Sequence, residues 1–183
     1  MQDVRTVLRE KLSEHRFQHV LGVEATCIEL ADCYGYDREK ARMAGLMHDC
    51  AKCLTPSELL SIAEQHHLQV LSVEERNPYL LHDRVGAILA KELYGIEDKE
   101  ILDAIACHTV GRENMTLLDK ILYVADYIEP GRDKAPNLEM LRVLAKTEID
   151  QCVGLIMGQI YSYLKDTGAD ILPNTEALMK KYC

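Results

Sequence analysis

Apolar residues recur at helical spacing almost from end to end of this chain, and that periodicity excludes most folds before any motif is read. No β-branched run alternates between turn residues, and no repeat or low-complexity tract interrupts the pattern. Amphipathic helices are expected over about 4–14, over 18–34 with a stop at Gly35, and over 37–49 with Asp37 as N-cap. Thr55, Pro56 and Glu58 supply a capping box with a first-turn proline, and Asn77-Pro78 predicts a helix to Tyr94, closed by Gly95. Asp98 opens a helix to about Cys107. Thr116 and Asp119 open another to Ile128, which Glu129-Pro130-Gly131-Arg132 stops. Asn137, Thr147 and Asn174 begin the remaining elements. Every connection is short, and 183 residues suffice for one all-α domain, a helical bundle with a substantial core. The stripes Leu117, Leu118, Ile121, Leu122, Ala125 and Ile149, Val153, Ile156, Ile160 read as that core.

Charge and composition narrow the function. A net charge of −9 argues against a sequence-independent grip on nucleic acid. It leaves room for a small phosphorylated ligand, because bound divalent cations reverse the local sign. No apolar run approaches the roughly 18–20 residues of a bilayer span, so no membrane partner is expected. The charged, helix-periodic start MQDVRTVLREKLSEH argues against a secretory leader. Seven cysteines at irregular spacing predict reduced thiols and a cytoplasmic location. Cys50 and Cys53 form a C-x-x-C, but a redox reading wants a strand-to-helix setting. A structural zinc wants a second ligand pair better placed than His66-His67.

Chemistry-bearing side chains fall at helix ends or beside apolar stripes: His19, His48-Asp49, His82, His108 and Asp126. Imidazole and carboxylate together suit Fe, Mn, Co or Zn. Four histidines and two aspartates are too many for one catalytic ion with open positions, and about right for two. Neighbouring side chains on a helix diverge by about 100°, so His48 and Asp49 face one site only where their helix ends. A carboxylate can bridge two cations, which makes Asp49 the expected bridging ligand. Lys52, three residues on, suits a cation for a developing phosphate charge, or else a solvated helix-end lysine. Arg132 suits bidentate phosphate contact, and Thr109 can offer a hydroxyl. Gly22, inside a helix at a cost of roughly 1 kcal/mol against alanine, predicts a close approach by another helix or by the ligand.

In that order, His19, His48-Asp49 and Asp126 resemble the signature of the HD-domain metal-dependent phosphohydrolases, and His82 and His108 resemble the subgroup with a second metal. HDCAK, the LLH of YLLHDRVGA, CHTVGR and ADYIEPGR are similar to the YqeK-type family of symmetrical bis(5′-nucleosyl)-tetraphosphatases. Asp83 and Val110 depart from that pattern, at positions expected to touch none of the ligands. The resemblance implies a helical HD-type domain over 1–183, with a metal-site core over about 15–135 and helices from 137–183 packed on it. It gives His19, His48, Asp49 and Asp126 to one ion, and His82, His108 and the shared Asp49 to the other, with iron as the metal. It implies a nucleotide substrate, diadenosine tetraphosphate, split into two ADP. Together with the reading of the residues, Asp49 and Lys52 are expected to be catalytic and Lys52, Thr109, Arg132 and Gly22 to lie at the substrate, although another helix is the slightly favoured neighbour of Gly22. On this reading the two ions acidify a shared water and clamp the attacked phosphate. Another HD-type phosphohydrolase, acting on a different nucleotide or a cyclic dinucleotide, and a nucleotide-sensing module without turnover are the alternatives. Whether the chain forms a homodimer stays open.

Overall fold

The computed structural model describes residues 4–183, so the first three positions of the charged start lie outside the described residues. The described elements are helical: α1 (Val4–Lys11), α2 (Glu14–Tyr34), α3 (Arg38–Met47), α4 (Pro56–Gln65), α5 (Ser72–Arg76), a 3-10 turn (Pro78–Leu81) and α6 (His82–Glu92). They continue with α7 (Lys99–Cys107), α8 (Leu117–Ile128), α9 (Leu138–Leu144), α10 (Ile149–Thr167) and α11 (Thr175–Tyr182). None of these helices is long and apolar enough to cross a membrane.

Punctuation by capping residues sets most boundaries. Asp37, Thr55, Asp98 and Thr116 accept first-turn N–H groups, and Thr55 with Glu58 and Thr116 with Asp119 complete capping boxes. Gly35 closes α2 in the left-handed conformation, φ 62°. Three boundaries differ from expectation. The first helix ends at Lys11 rather than near 14, because Ser13 is an N-cap that accepts from the Arg16 N–H and starts α2 early. Asn77-Pro78 opens only a 3-10 turn, and α6 begins at His82. The fifth helix was not foreseen; Glu74 reaches back to the Leu71 N–H and supports a single short turn. In addition, α10 starts after Glu148 rather than Thr147.

The main core is built from α2, α3, α7, α8 and α10 around Val20, Leu30, Met47, Ile105, Leu122 and Ile156. Both expected stripes contribute, with Leu118, Ile121, Leu122, Ala125, Val153 and Ile156 fully buried. A smaller cluster of Ala51, Leu59, Ala63, Leu81 and Val85 joins α4 to the 3-10 turn and α6. The C-terminal elements α9, α10 and α11 are tied to the rest through α8 and α10. As a result the ends of α3 and α7, the start of α6, the first turns of α2 and the last turn of α8 converge.

Candidate metal centre

Three of the four central histidines are placed by one local device. His48 is the C-cap of α3, His82 of the 3-10 turn and His108 of α7. The last carbonyls of a helix lack an intrahelical partner. Each ring folds back one turn: Nδ1 donates to the carbonyl of Gly45, Tyr79 or Ile105, in every case at 2.7 Å. A carbonyl can only accept, so the proton sits on Nδ1 and each Nε2 presents a lone pair to the interior. His19 differs, since it lies inside α2. Its Nδ1 is 3.0 Å from Glu129 Oε1 and its Nε2 is 3.0 Å from Asp126 Oδ1.

Past Met47 the chain leaves the α-helix for tighter turns, with the Cys50 N–H on the Met47 carbonyl at 3.0 Å, and Asp49 and His48 share one interior space. Asp49 Oδ2 stands 3.4 Å from His48 Nε2 and 3.9 Å from His19 Nε2. Its Oδ1 stands 3.5 Å from His82 Nε2 and 3.7 Å from His108 Nε2. The two oxygens therefore face different histidine pairs. The ligand atoms of His19, His48 and Asp126 lie within 4.8 Å of one another, as do those of His48, Asp49 and His108. All six side chains named from the sequence meet here.

Whether this set suits a cation follows from its own chemistry. His48 Nε2 and Asp49 Oδ1 are buried without a hydrogen-bond partner among the described residues, a costly state for polar atoms, while His19 Nε2 has only the Asp126 carboxylate beside it, at 3.0 Å. His82 Nε2 and His108 Nε2 face each other at 3.2 Å, so two lone pairs meet unless positive charge lies between them. Burial, helped by His108 and Lys52, pushes His82 down to about 3, which keeps it a neutral imidazole. Burial also opposes charge on His19 and His108, but Asp126 and Glu129 outweigh it for the first and Asp49 for the second, so both are raised. Burial alone would push Asp49 up, yet His48 and His108 hold it well below the usual carboxylate range. The C-terminal ends of α3 and α7 add their own partial negative charge. Cations satisfy every one of these groups, and the N/O donor set suits a transition metal.

Around the cluster stand further groups. Lys52 is half-buried; burial lowers its ammonium, while Asp49 favours the charge and Arg16 opposes it. Thr109 Oγ1 is 3.3 Å from His82 Nε2. Arg132 bonds Asp126 Oδ1 at 3.0 Å and the Asp126 carbonyl at 3.2 Å, so its guanidinium is engaged with a candidate ligand. Gly22 meets neither a helix nor open space but the Glu129 side chain. Asp83, expected to touch no ligand, is buried beside Thr109 and His108; burial raises its carboxyl. Val110 instead lines a small apolar cavity of about 180 Å³.

Sequence reasoning missed two groups. Arg16 donates to Asp49 Oδ2 at 2.8 Å, and its signal was its place one turn before His19 on the same helix. Glu129 left only the stop motif that contains it. A cleft of about 660 Å³ opens beside His19, lined by His15, Arg16, Gln18, Gly22, Arg132 and Lys134 among others. Cys50 is buried and donates to the Gly86 carbonyl, and burial pushes its thiol up to about 12. Among the described residues, neither candidate metal group includes a cysteine.

Comparison with known proteins adds to this geometry. The family profile described as "HD domain" matches residues 16–131. The chain is 39% identical over 168 residues to a Bacillus subtilis (strain 168) protein named bis(5′-nucleosyl)-tetraphosphatase, symmetrical, covering 92% of this chain and 89% of that one. It is 38% identical to a Halalkalibacterium halodurans protein of the same name, covering 93% and 90%. Among solved structures, a Clostridium acetobutylicum protein described as a predicted HD superfamily hydrolase involved in NAD metabolism superposes with a TM-score of 0.93. That pair is 39% identical, over 98% of this chain and 94% of the other.

Proposed function

The chain belongs to the HD domain family, and from that premise we propose that it is a metal-dependent hydrolase splitting dinucleoside tetraphosphates symmetrically into two nucleoside diphosphates. The carrying observation is Asp49, whose two oxygens face separate histidine pairs in a buried space bordered by Lys52. The identity to symmetrical tetraphosphatases over most of both chains supports the substrate.

On this reading His19, His48, Asp49 and Asp126 hold one cation and His82, His108 and Asp49 a second, with iron as the first candidate and Mn, Co or Zn compatible with the donors. Bound ions supply Lewis acidity, lowering the pKa of a nearby water and withdrawing charge from the attacked phosphate. The chain's own residues do the rest. Nδ1 hydrogen bonds fix each imidazole before a ligand arrives, so no reorientation accompanies binding. Lys52, half-buried and making no ion pair among the described residues, places an ammonium where non-bridging oxygens gain charge. Thr109 offers a hydroxyl on the His82 side, and Arg132 and Arg16 offer guanidinium groups on the His19 side. The cleft beside His19 falls within the roughly 300–1,000 Å³ of small-molecule sites and suits one nucleotide half. The free cysteines suit a cytoplasmic location.

Product analysis tests this directly. Purified protein with Mn²⁺ or Fe²⁺ and diadenosine tetraphosphate should release ADP alone. AMP with ATP would overturn symmetrical cleavage, and no turnover would overturn the hydrolase. A different nucleotide substrate is the second reading, favoured by the description of the Clostridium relative as involved in NAD metabolism. It predicts faster turnover of a nicotinamide or other dinucleotide than of diadenosine tetraphosphate in the same assay.

A further inference from the structure

Glu129 is a buried carboxylate at the centre that has no place in the ligand set. It follows α8 and is 3% exposed. Its Oε1 accepts from His19 Nδ1 at 3.0 Å, and its Oε2 accepts from the Gly131 backbone N–H. Two glycines far apart in sequence make room for it. A Cβ on Gly22 would stand 2.5 Å from Oε2, and a Cβ on Gly131 3.0 Å from the same atom. Gly22 lies in the middle of α2, where glycine is a poorer helix former than alanine. The loop is also held from behind. Arg142 on α9 donates to the carbonyls of Ile128 at 2.9 Å, Glu129 at 3.0 Å and Arg132 at 2.9 Å.

His19 needs such help for a local reason. The other three histidines cap the ends of their own helical turns and fold onto a carbonyl three residues back. Inside α2 the carbonyls are already bonded along the helix, so the His19 ring must find its acceptor elsewhere. A carboxylate acceptor also makes the imidazole a stronger ligand than a carbonyl would.

We propose that Glu129, seated between Gly22 and Gly131 and fixed by Arg142, is a positioning residue that holds His19 in the tautomer and direction that ligate a metal. The proposal rests on the metal-centre reading above. It gives α9, which lies beyond the matched span 16–131, a part in setting metal affinity.

Titration calorimetry of Mn²⁺ into metal-free protein, with helical circular dichroism as the folding control, tests it. Glu129→Gln keeps the shape but turns one of two acceptors into a donor facing an N–H. It should bind Mn²⁺ about 10–100-fold more weakly with its helical spectrum unchanged. Gly22→Ala removes no polar group but displaces the carboxylate, and should weaken binding in the same direction. In a Glu129→Ala background the Gly22→Ala effect should vanish, since nothing is left to displace. Arg142→Ala should give a smaller loss. Wild-type affinity in folded Glu129→Gln, or additive losses in the double variant, would reduce Glu129 to a space-filler and overturn the proposal. If Glu129→Gln does not fold, Gly22→Ala decides: unchanged affinity there overturns it equally. A wild-type protein that takes up no Mn²⁺ would sink the metal centre itself, and this proposal with it.

Discussion

Asp49 joins the two halves of the cluster, and its burial makes it intolerant of change. Asp49→Ala should abolish both turnover and metal uptake while the helical spectrum survives, because the main core lies in other residues. Turnover in a folded Asp49→Ala variant would remove this residue from the mechanism. On the proposed reading Lys52 acts differently, through charge rather than ligation. Lys52→Ala should lower kcat by about 10²–10³-fold, the usual effect of deleting one group that stabilises transition-state charge, and leave Mn²⁺ affinity near wild type. A loss confined to KM would make it a ground-state binder. At this scale the sequence showed the candidate ligands but not their supports. His48-Asp49 stands out as a dipeptide at a helix end, whereas Arg16 meets Asp49 across 33 positions and Glu129 meets His19 across 110. The pairings themselves leave no local trace, although Arg16 sits one turn before His19 on α2.

Helix ends do most of the work at the scale of the element. One capping device, a histidine folded onto the carbonyl three residues before it, aims three rings at a common point. Capping also stabilises helices remote from the site, and α4 gives a clean test. The Thr55 N–H and hydroxyl bonds to Glu58 lower the carboxyl below its ordinary value of 4.5. A depressed carboxyl stabilises the fold above that value and loses its contribution as pH falls through the lowered one. Thermal melts of Glu58→Gln against wild type should therefore differ at pH 7 and converge toward pH 3, with kcat unchanged. A difference that persists at low pH would contradict the capping account. Thr55→Ala should cost ~1 kcal/mol at neutral pH. The caps were legible in the sequence because they involve residues within one turn. The start of α6 was not, since Asn77-Pro78 signals where a helix begins but not whether its first turn will be 3-10.

Across the whole molecule, the centre draws on α2, α3, α6, α7 and α8 together, so a cation bound there couples to global stability. A ligand that binds only the folded state stabilises it by about 2.7 kcal/mol at a hundredfold excess over Kd. Chelation should lower the Tm, Mn²⁺ should restore it, and Asp49→Ala should show neither change. A Tm indifferent to chelator in metal-loaded wild type would argue that no ion holds these helices together.

Local order along the chain needed no coordinates: helical periodicity, capping residues and buried stripes are properties of neighbours within a turn or two, and the histidines and aspartates stood out by their places at helix ends or beside those stripes. Tertiary packing alone decided that the His19 ring is held by a distant carboxylate, that Arg16 and Glu129 stand behind the candidate ligands, and that Gly22 makes way for Glu129. Those choices depend on distances between segments far apart in sequence, which only the packed core fixes.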